Sequence, residues 1–198
     1  MASNLFYVGL DEAGRGPLAG PVTAACVLLP QDFPLEILND SKKLSEKKRD
    51  AAEIIIKEKA CYGIAEVSHT IIDEINILQA SLLAMKEACE KMLLSLPDWC
   101  KKNNIDFNKI ELRAIADGNK VPDLAIPCQA VVKADAKYPC VMAASILAKV
   151  HRDCIMKEMD KMYPEYLYAK HKGYPTKEHR EICKKIGPSP IQRRTFKY

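Results

Sequence analysis

At 198 residues, with 48% hydrophobic and 28% charged side chains, the chain has the makings of one sizeable core and is neither a fibrous nor a disordered sequence. Its +4 net charge comes with no bilayer-length apolar run and no signal-peptide pattern, so a membrane partner is not expected and the cytoplasm is the expected compartment. Eight cysteines stand singly, without metal-ligand spacing, which predicts reduced, mostly buried thiols rather than a disulfide framework or a zinc site. The charge is uneven: residues 161–198 hold ten Lys/Arg against three acids, a net +7. A basic end suits a polyanion, or simply a solvated helical face.

The first predicted strand, Phe6 to Leu10, runs into Asp11 and Glu12 and then into the turn Gly14-Arg15-Gly16-Pro17. Neighbouring side chains on a strand point to opposite faces. Asp11 and Glu12 therefore reach one ion only where the strand ends or where one coordinates across its edge. An acidic cap before a turn is the plainer reading of the pair alone. The glycines let a ligand come close to free backbone N–H groups, but their spacing is off-register for a dinucleotide fingerprint and lacks the Lys-Ser/Thr ending of a P-loop.

Pro21 to Leu29 predicts a second strand, antiparallel to the first. The polar turn Asn39-Asp40-Ser41-Lys42-Lys43 precedes a helix from Glu46 to about Lys59, N-capped by Ser45. Lys42 and Lys43 suit phosphates, or are surface charge. Tyr62 to Val67 alternates as a third strand. A long helix then starts at Thr70, with an apolar stripe at helical spacing, and is expected to end at Pro97. Lys109 to Ala116 is a fourth strand that delivers Asp117 to a turn. Ala125 to Val132 is a fifth, leading to Asp135. A helix from about Pro139 to Tyr163 has small residues in its first turns. It is followed by the loop Lys170-His171-Lys172-Gly173-Tyr174, a short helix from Lys177 to Lys185, and an extended basic end.

Asp11, Glu12, Asp117 and Asp135 thus stand at the ends of three β-segments and would repel one another without a cation. An all-oxygen donor set favours Mg²⁺ or Mn²⁺. Two such ions about 4 Å apart would activate a water and stabilise the leaving oxygen in phosphodiester hydrolysis.

The motifs Gly9 to Val22, Asp40 to Leu44, Ala116-Asp117-Gly118-Asn119, Ala143 to Val150 with Arg152-Asp153, His171-Lys172-Gly173-Tyr174 and Gly187 to Pro190 closely resemble those of bacterial ribonuclease HII, in the family's order. The resemblance implies an α/β, ribonuclease H-like fold: a five-stranded mixed sheet flanked by helices, with a C-terminal helical extension that closes over the substrate. It implies one domain over 1–198, with a catalytic core to about 160 and a basic part over about 161–198. The implied activity is endonucleolytic cleavage of RNA in RNA/DNA hybrids and 5′ of single ribonucleotides in duplex DNA. By position, Asp11, Glu12, Asp117 and Asp135 would be the catalytic, metal-binding acids. Gly14, Arg15 and Gly16 would read the 2′-hydroxyl, and Tyr174 would pack on the sugar at the junction. Ser41, Lys42, Lys43, Lys149, Lys170 and Lys172 complete the expected substrate contacts.

The expected partner is nucleic acid, met as a monomer. Gln192 to Phe196 faintly resembles a replication-clamp-binding tail. Ala134 and Pro175 stand where the family usually has Gly; the first is harmless unless its φ is positive, and the second removes an N–H beside Tyr174. Asp153 is a competing acid, whose plainer reading is a helix-surface ion pair with Arg152 or Lys149. Two other readings share the acids: a ribonuclease HIII-like enzyme, which normally carries a further N-terminal domain, and a catalytically silent hybrid-binding protein of the same fold.

Overall fold

Val8 and Leu10 alternate with Gly9 and Asp11, so the first strand buries an apolar row on one face and presents Gly9 and Asp11 on the other. In the computed structural model, which describes residues 4–39, 41 and 44–197, this strand is β1 (Asn4–Ala13) and lies at the centre of a five-stranded sheet. Asp40, Lys42 and Lys43 lie outside the described residues. β2 (Val22–Leu28) pairs antiparallel with β1 on one side, and β3 (Cys61–Val67) pairs antiparallel with β2. On the other side β4 (Ile110–Asp117) runs parallel to β1, and β5 (Cys128–Val131) runs parallel to β4. The mixed sheet with flanking helices matches the expected fold.

Each face has its helix. The Val8 and Leu10 face packs on α2 (His69–Lys102) together with Cys26, Met85 and Met92. The opposite face of β2, Ala25 and Val27, packs on α1 (Glu46–Lys59) and α3 (Pro139–Met162). β2 is therefore buried along its whole length. α3 comes so close to β1 that a Cβ on Gly9 would lie 2.2 Å from the carbonyl carbon of Cys140. Only glycine permits that approach, and it sets the start of α3 beside the strand that carries Asp11.

Two expectations about elements change. α2 does not end at Pro97 but continues through it to Lys102. An interior proline costs about 3 kcal/mol, whereas burying one large apolar side chain returns about 1.5–3 kcal/mol. Here Trp99 and Cys100 are both buried past it, and the Trp99 indole N–H donates to the Lys59 carbonyl at 2.8 Å. The real interruption is at Asn76, with φ 67°. Its Oδ1 accepts from the N–H groups of Leu78 and Gln79 at 3.0 and 3.2 Å, capping the helix that resumes there. The fifth strand is only Cys128–Val131, and Asp135 sits in a 3-10 turn, Ala134–Ala136, instead of at a strand end.

The chain beyond α3 holds the short α4 (Tyr168–His171) and α5 (Lys177–Ile186). Tyr166, Tyr168 and Cys183 form a small core with Met156 of α3 and Ala19 of the glycine-rich loop. Among the described residues the cysteines are free, six of them buried. No described helix is long and apolar enough to cross a membrane.

Candidate active site

Parallel pairing of β1 with β4 sets Leu10 opposite Ala116, so Asp11 and Asp117 follow side by side at the carboxyl ends of two central strands. Asp135 reaches the same place from the 3-10 turn. A carboxylate oxygen from each of Asp11, Asp117 and Asp135 lies within 4.8 Å of the other two. The turn is tied to the strand end because the Ala134 N–H donates to Asp117 Oδ1 at 2.7 Å. The positive φ in this turn belongs to Lys133, at 58°, and not to Ala134, which is fully buried. Alanine therefore fits at position 134 without backbone strain.

Asp11 is 5% exposed. Burial, then the charges of Glu12 and Asp117, hold its carboxyl well above the usual carboxylate range, although hydrogen bonds from Ser145 and from the Glu12 N–H oppose the rise. The latter is 2.7 Å long. A site of three crowded oxygen donors, one of them held toward its neutral form, is what a divalent cation would relieve. Glu12 stands apart from this trio. Its Oε1 pairs with Arg15 Nη1 at 3.2 Å, and burial raises its carboxyl against the pull of Arg15.

Three residues on one face of α3, at i, i+4 and i+7, continue the site. The Ser145 hydroxyl lies 2.7 Å from that of Ser41, so Ser41 sits behind Asp11, buried, with its carbonyl accepting from Arg49 at 3.0 Å. Lys149 donates to Asp153 at 2.7 Å, the ion pair expected for Asp153, and its Nζ lies 6.0 Å from the centre of the Tyr174 ring. Arg152 is also 6.0 Å from that ring. Arg152 does not pair with Asp153 but donates to the carbonyls of Pro21, Lys172 and Ala19 at 2.9, 2.9 and 3.1 Å.

The glycine-rich loop faces Tyr174, with a Cβ placed on Gly16 coming 3.6 Å from the ring and the Leu18 N–H donating to the Gly173 carbonyl at 2.8 Å. Gly14 has φ +103°, and a Cβ there would meet the Arg152 side chain at 2.2 Å, so glycine is required twice over. Tyr174 is 40% exposed. Beside Pro175, the Tyr174 carbonyl accepts from the Thr176 N–H at 2.8 Å and bonds His179 Nδ1 at 2.9 Å. Of the basic segment's lysines, Lys170 pairs with Glu178 at 2.8 Å and Lys172 donates to the Ala169 carbonyl.

Arg193 is the residue that sequence reasoning misplaced. Read there as part of an extended basic end, it is fully buried and donates to the carbonyls of Gly14, Arg15, Pro17, Gly20 and Pro21. Ser145 and Arg152 lay inside a quoted motif. Their shared helical face with Lys149 was the available signal.

Comparison with known proteins agrees with this geometry. The family model described as Ribonuclease HII matches residues 8–198. A ribonuclease HII of Treponema denticola is 53% identical over 192 residues, covering 95% of this chain and 96% of that protein. One from Caldanaerobacter subterraneus subsp. tengcongensis is 50% identical, covering 96% of this chain and 73% of that protein. Among solved structures, ribonuclease H2 of Pyrococcus horikoshii matches with TM-score 0.65 and 27% identity, over 96% of this chain and 93% of that one. The ribonuclease HII of Archaeoglobus fulgidus, solved in a complex with PCNA, matches with TM-score 0.66 and 25% identity, over 98% of this chain and 96% of that one. The fold, the acidic strand ends and the near full-length identity lead to one conclusion: the chain belongs to the ribonuclease HII family.

Proposed function

We infer that this chain is an endoribonuclease that hydrolyses the RNA strand of RNA/DNA hybrids and cuts 5′ of single ribonucleotides in duplex DNA, leaving 5′-phosphate and 3′-hydroxyl ends. The observation that carries the reading is the convergence of Asp11, Asp117 and Asp135 beside a glycine-rich loop whose outer side meets an exposed tyrosine. A silent hybrid-binding protein has no use for three crowded carboxylates facing a polyanion.

Asp11, Asp117 and Asp135 would hold Mg²⁺ or Mn²⁺, with Glu12 joining them once it leaves Arg15. The ions would supply water activation and neutralisation of the leaving 3′ oxygen. Ser145 fixes Asp11, and the Ala134 N–H fixes Asp117. The N–H groups of the Gly14-Arg15-Gly16 loop donate to the ribose 2′-hydroxyl, and Tyr174 packs on the sugar at the RNA-to-DNA step. Lys149, Lys170 and Lys172 neutralise backbone phosphates, a role the reading also gives to Lys42 and Lys43. The reading takes residues 1–198 as one domain acting as a monomer in the cytoplasm. Clamp contact through Gln192 to Phe196 requires that segment to leave its place, since the N–H groups of Arg194 and Thr195 donate to Asp73 of α2 at 2.8 and 3.0 Å.

Tyr174→Ala tests the junction. Stacking of this kind is worth about 1 to 3 kcal/mol per base, and a long hybrid offers no RNA-to-DNA step at most cut sites. The variant should therefore lose more rate on a single embedded ribonucleotide than on a uniform hybrid. Equal losses on the two substrates would make Tyr174 a packing residue.

A further inference from the structure

Two guanidinium groups lie under the glycine-rich loop, Arg152 at 1% and Arg193 at 0% exposure. Among the described residues neither makes a salt bridge; their hydrogen bonds go to main-chain carbonyls. A buried, unpaired charge is costly, and charge-assisted hydrogen bonds offset part of that cost. Burial pulls the Arg152 guanidinium down to about 10 and that of Arg193 to about 9, the latter also through repulsion by Arg152. Both stay charged at neutral pH. So much buried positive charge is not needed to close a turn.

Its effect follows from peptide geometry. In a planar trans peptide the C=O of one residue and the N–H of the next point in opposite directions. Arg193 Nη2 takes the Gly14 carbonyl at 2.7 Å and Nη1 takes the Arg15 carbonyl at 3.2 Å. The N–H groups of Arg15 and Gly16 are thereby turned away from Arg193, at the two residues of the loop that are exposed. Among the described residues no acceptor is bonded to either N–H. The cation behind the carbonyls also reinforces the peptide dipoles, making these N–H groups stronger donors toward an oxygen ligand.

We propose that Arg193 is a positioning residue: it orients the N–H groups of Arg15 and Gly16 toward the sugar–phosphate of the ribonucleotide, with Arg152 as a second support from α3. The chain's last segment thus completes the site that its first strand begins. The proposal rests on the functional reading above and adds to it the group that sets the loop's donors. Asp73 latches that segment from outside, accepting from the Arg194 and Thr195 N–H groups and from the Thr195 hydroxyl at 2.6 Å. The bridge of Ala19 with Gln192 and the Arg193 N–H to the Leu18 carbonyl, 2.8 Å, hold it along the loop.

The test uses the full chain as wild type, Arg193→Ala, Arg193→Lys and Asp73→Ala. Two quantities are measured: kcat/KM on a duplex with one ribonucleotide, and, with Ca²⁺ so that nothing is cut, the affinity for that duplex relative to the same all-DNA duplex. A misplaced binding loop costs about 100-fold in rate, and that is the expected fall for Arg193→Ala. The preference for the ribonucleotide duplex should drop about tenfold, the worth of one or two hydrogen bonds. Guanidinium ion at tens of millimolar should restore rate to Arg193→Ala and none to Asp117→Asn, and Asp73→Ala should lose preference to a smaller degree. A folded Arg193→Ala or Arg193→Lys with wild-type preference overturns the proposal, as does a rate loss without change of preference or guanidinium rescue. If the Arg193 variants do not fold, unchanged preference in Asp73→Ala overturns it. A wild type that cuts neither hybrid nor embedded ribonucleotide sinks the functional reading instead. The loop claim then stands or falls on whether the Arg15 and Gly16 amide resonances of Asp73→Ala differ from wild type.

Discussion

Asp11 carries a cost that a cation would remove. Its carboxyl is pushed above the ordinary value of 3.8 by burial and by the charges of Glu12 and Asp117. A folded-state value above the unfolded one means that the folded chain holds the proton more tightly. The associated stability is complete below the unfolded value of 3.8 and is lost as pH rises through the folded one. At neutral pH, without divalent ions, this buried and crowded carboxyl therefore leaves the fold less stable than it is in acid. Asp11→Asn should raise the melting temperature in EDTA, abolish the stabilisation that Mg²⁺ gives wild type, and lower cleavage by at least about 100-fold, the scale of losing one electrostatic stabiliser. Thermal melts with and without Mg²⁺, paired with a hybrid-cleavage assay, measure all three. A lower melting temperature in EDTA would make Asp11 a structural acid.

The elements around Tyr174 bring a different pH dependence. His171 of α4 and His179 of α5 stack at 4.3 Å, with His171 Nε2 bonded to the Tyr166 carbonyl and Nδ1 accepting from the Gly173 N–H. Burial lowers both imidazoles, and His179 lowers His171 further. For a base lowered on folding, the unfolded chain binds protons first, so stability is complete above about 6.5 and falls as pH drops below it. The wild type should lose melting temperature from neutral pH to mildly acid pH. His171→Asn/His179→Gln should show a flatter profile over the same range, and an identical slope would place the acid-sensitive groups elsewhere.

These elements also mark how far the sequence could be read. α1, α3 and the first four strands were legible because their apolar periodicity and caps agree with their packing. Pro97 misled because tertiary burial of Trp99 and Cys100 beyond it outweighs the local penalty. Asn76 gave no cue in the apolar stripe. The carboxylates were visible as acids before turns, and strand alternation already set Glu12 apart from Asp11 once β1 ran on to Ala13, but the burial of Arg193 depends on contacts with residues some 170 positions earlier. Nothing local in a basic tail signals that one of its arginines is interior.

At the scale of the whole molecule, charge and closure act together. The +7 of residues 161–198 is only partly available, because Arg193 is interior and Lys170 is paired with Glu178. Surface pairs of this kind are worth about 0–1 kcal/mol and yield readily to phosphate. Hybrid affinity should therefore fall steeply with salt, and Lys170→Ala with Lys172→Ala should each reduce the slope of log K against log salt by about 1. An unchanged slope would assign the phosphate contacts to Lys149 and the α1 side of the site.

Cleavage mapping on an end-labelled duplex that carries one ribonucleotide bears most directly on the central claim, that Asp11, Asp117 and Asp135 form the hydrolytic centre of a ribonucleotide-directed endonuclease. With Mg²⁺ or Mn²⁺, wild type should give one cut, 5′ of the ribonucleotide, with a 3′-hydroxyl on one product and a 5′-phosphate on the other, while Asp117→Asn stays folded and leaves the duplex intact. Cutting by Asp117→Asn at the wild-type rate, or wild-type cleavage that persists in EDTA or falls elsewhere in the duplex, would contradict the account.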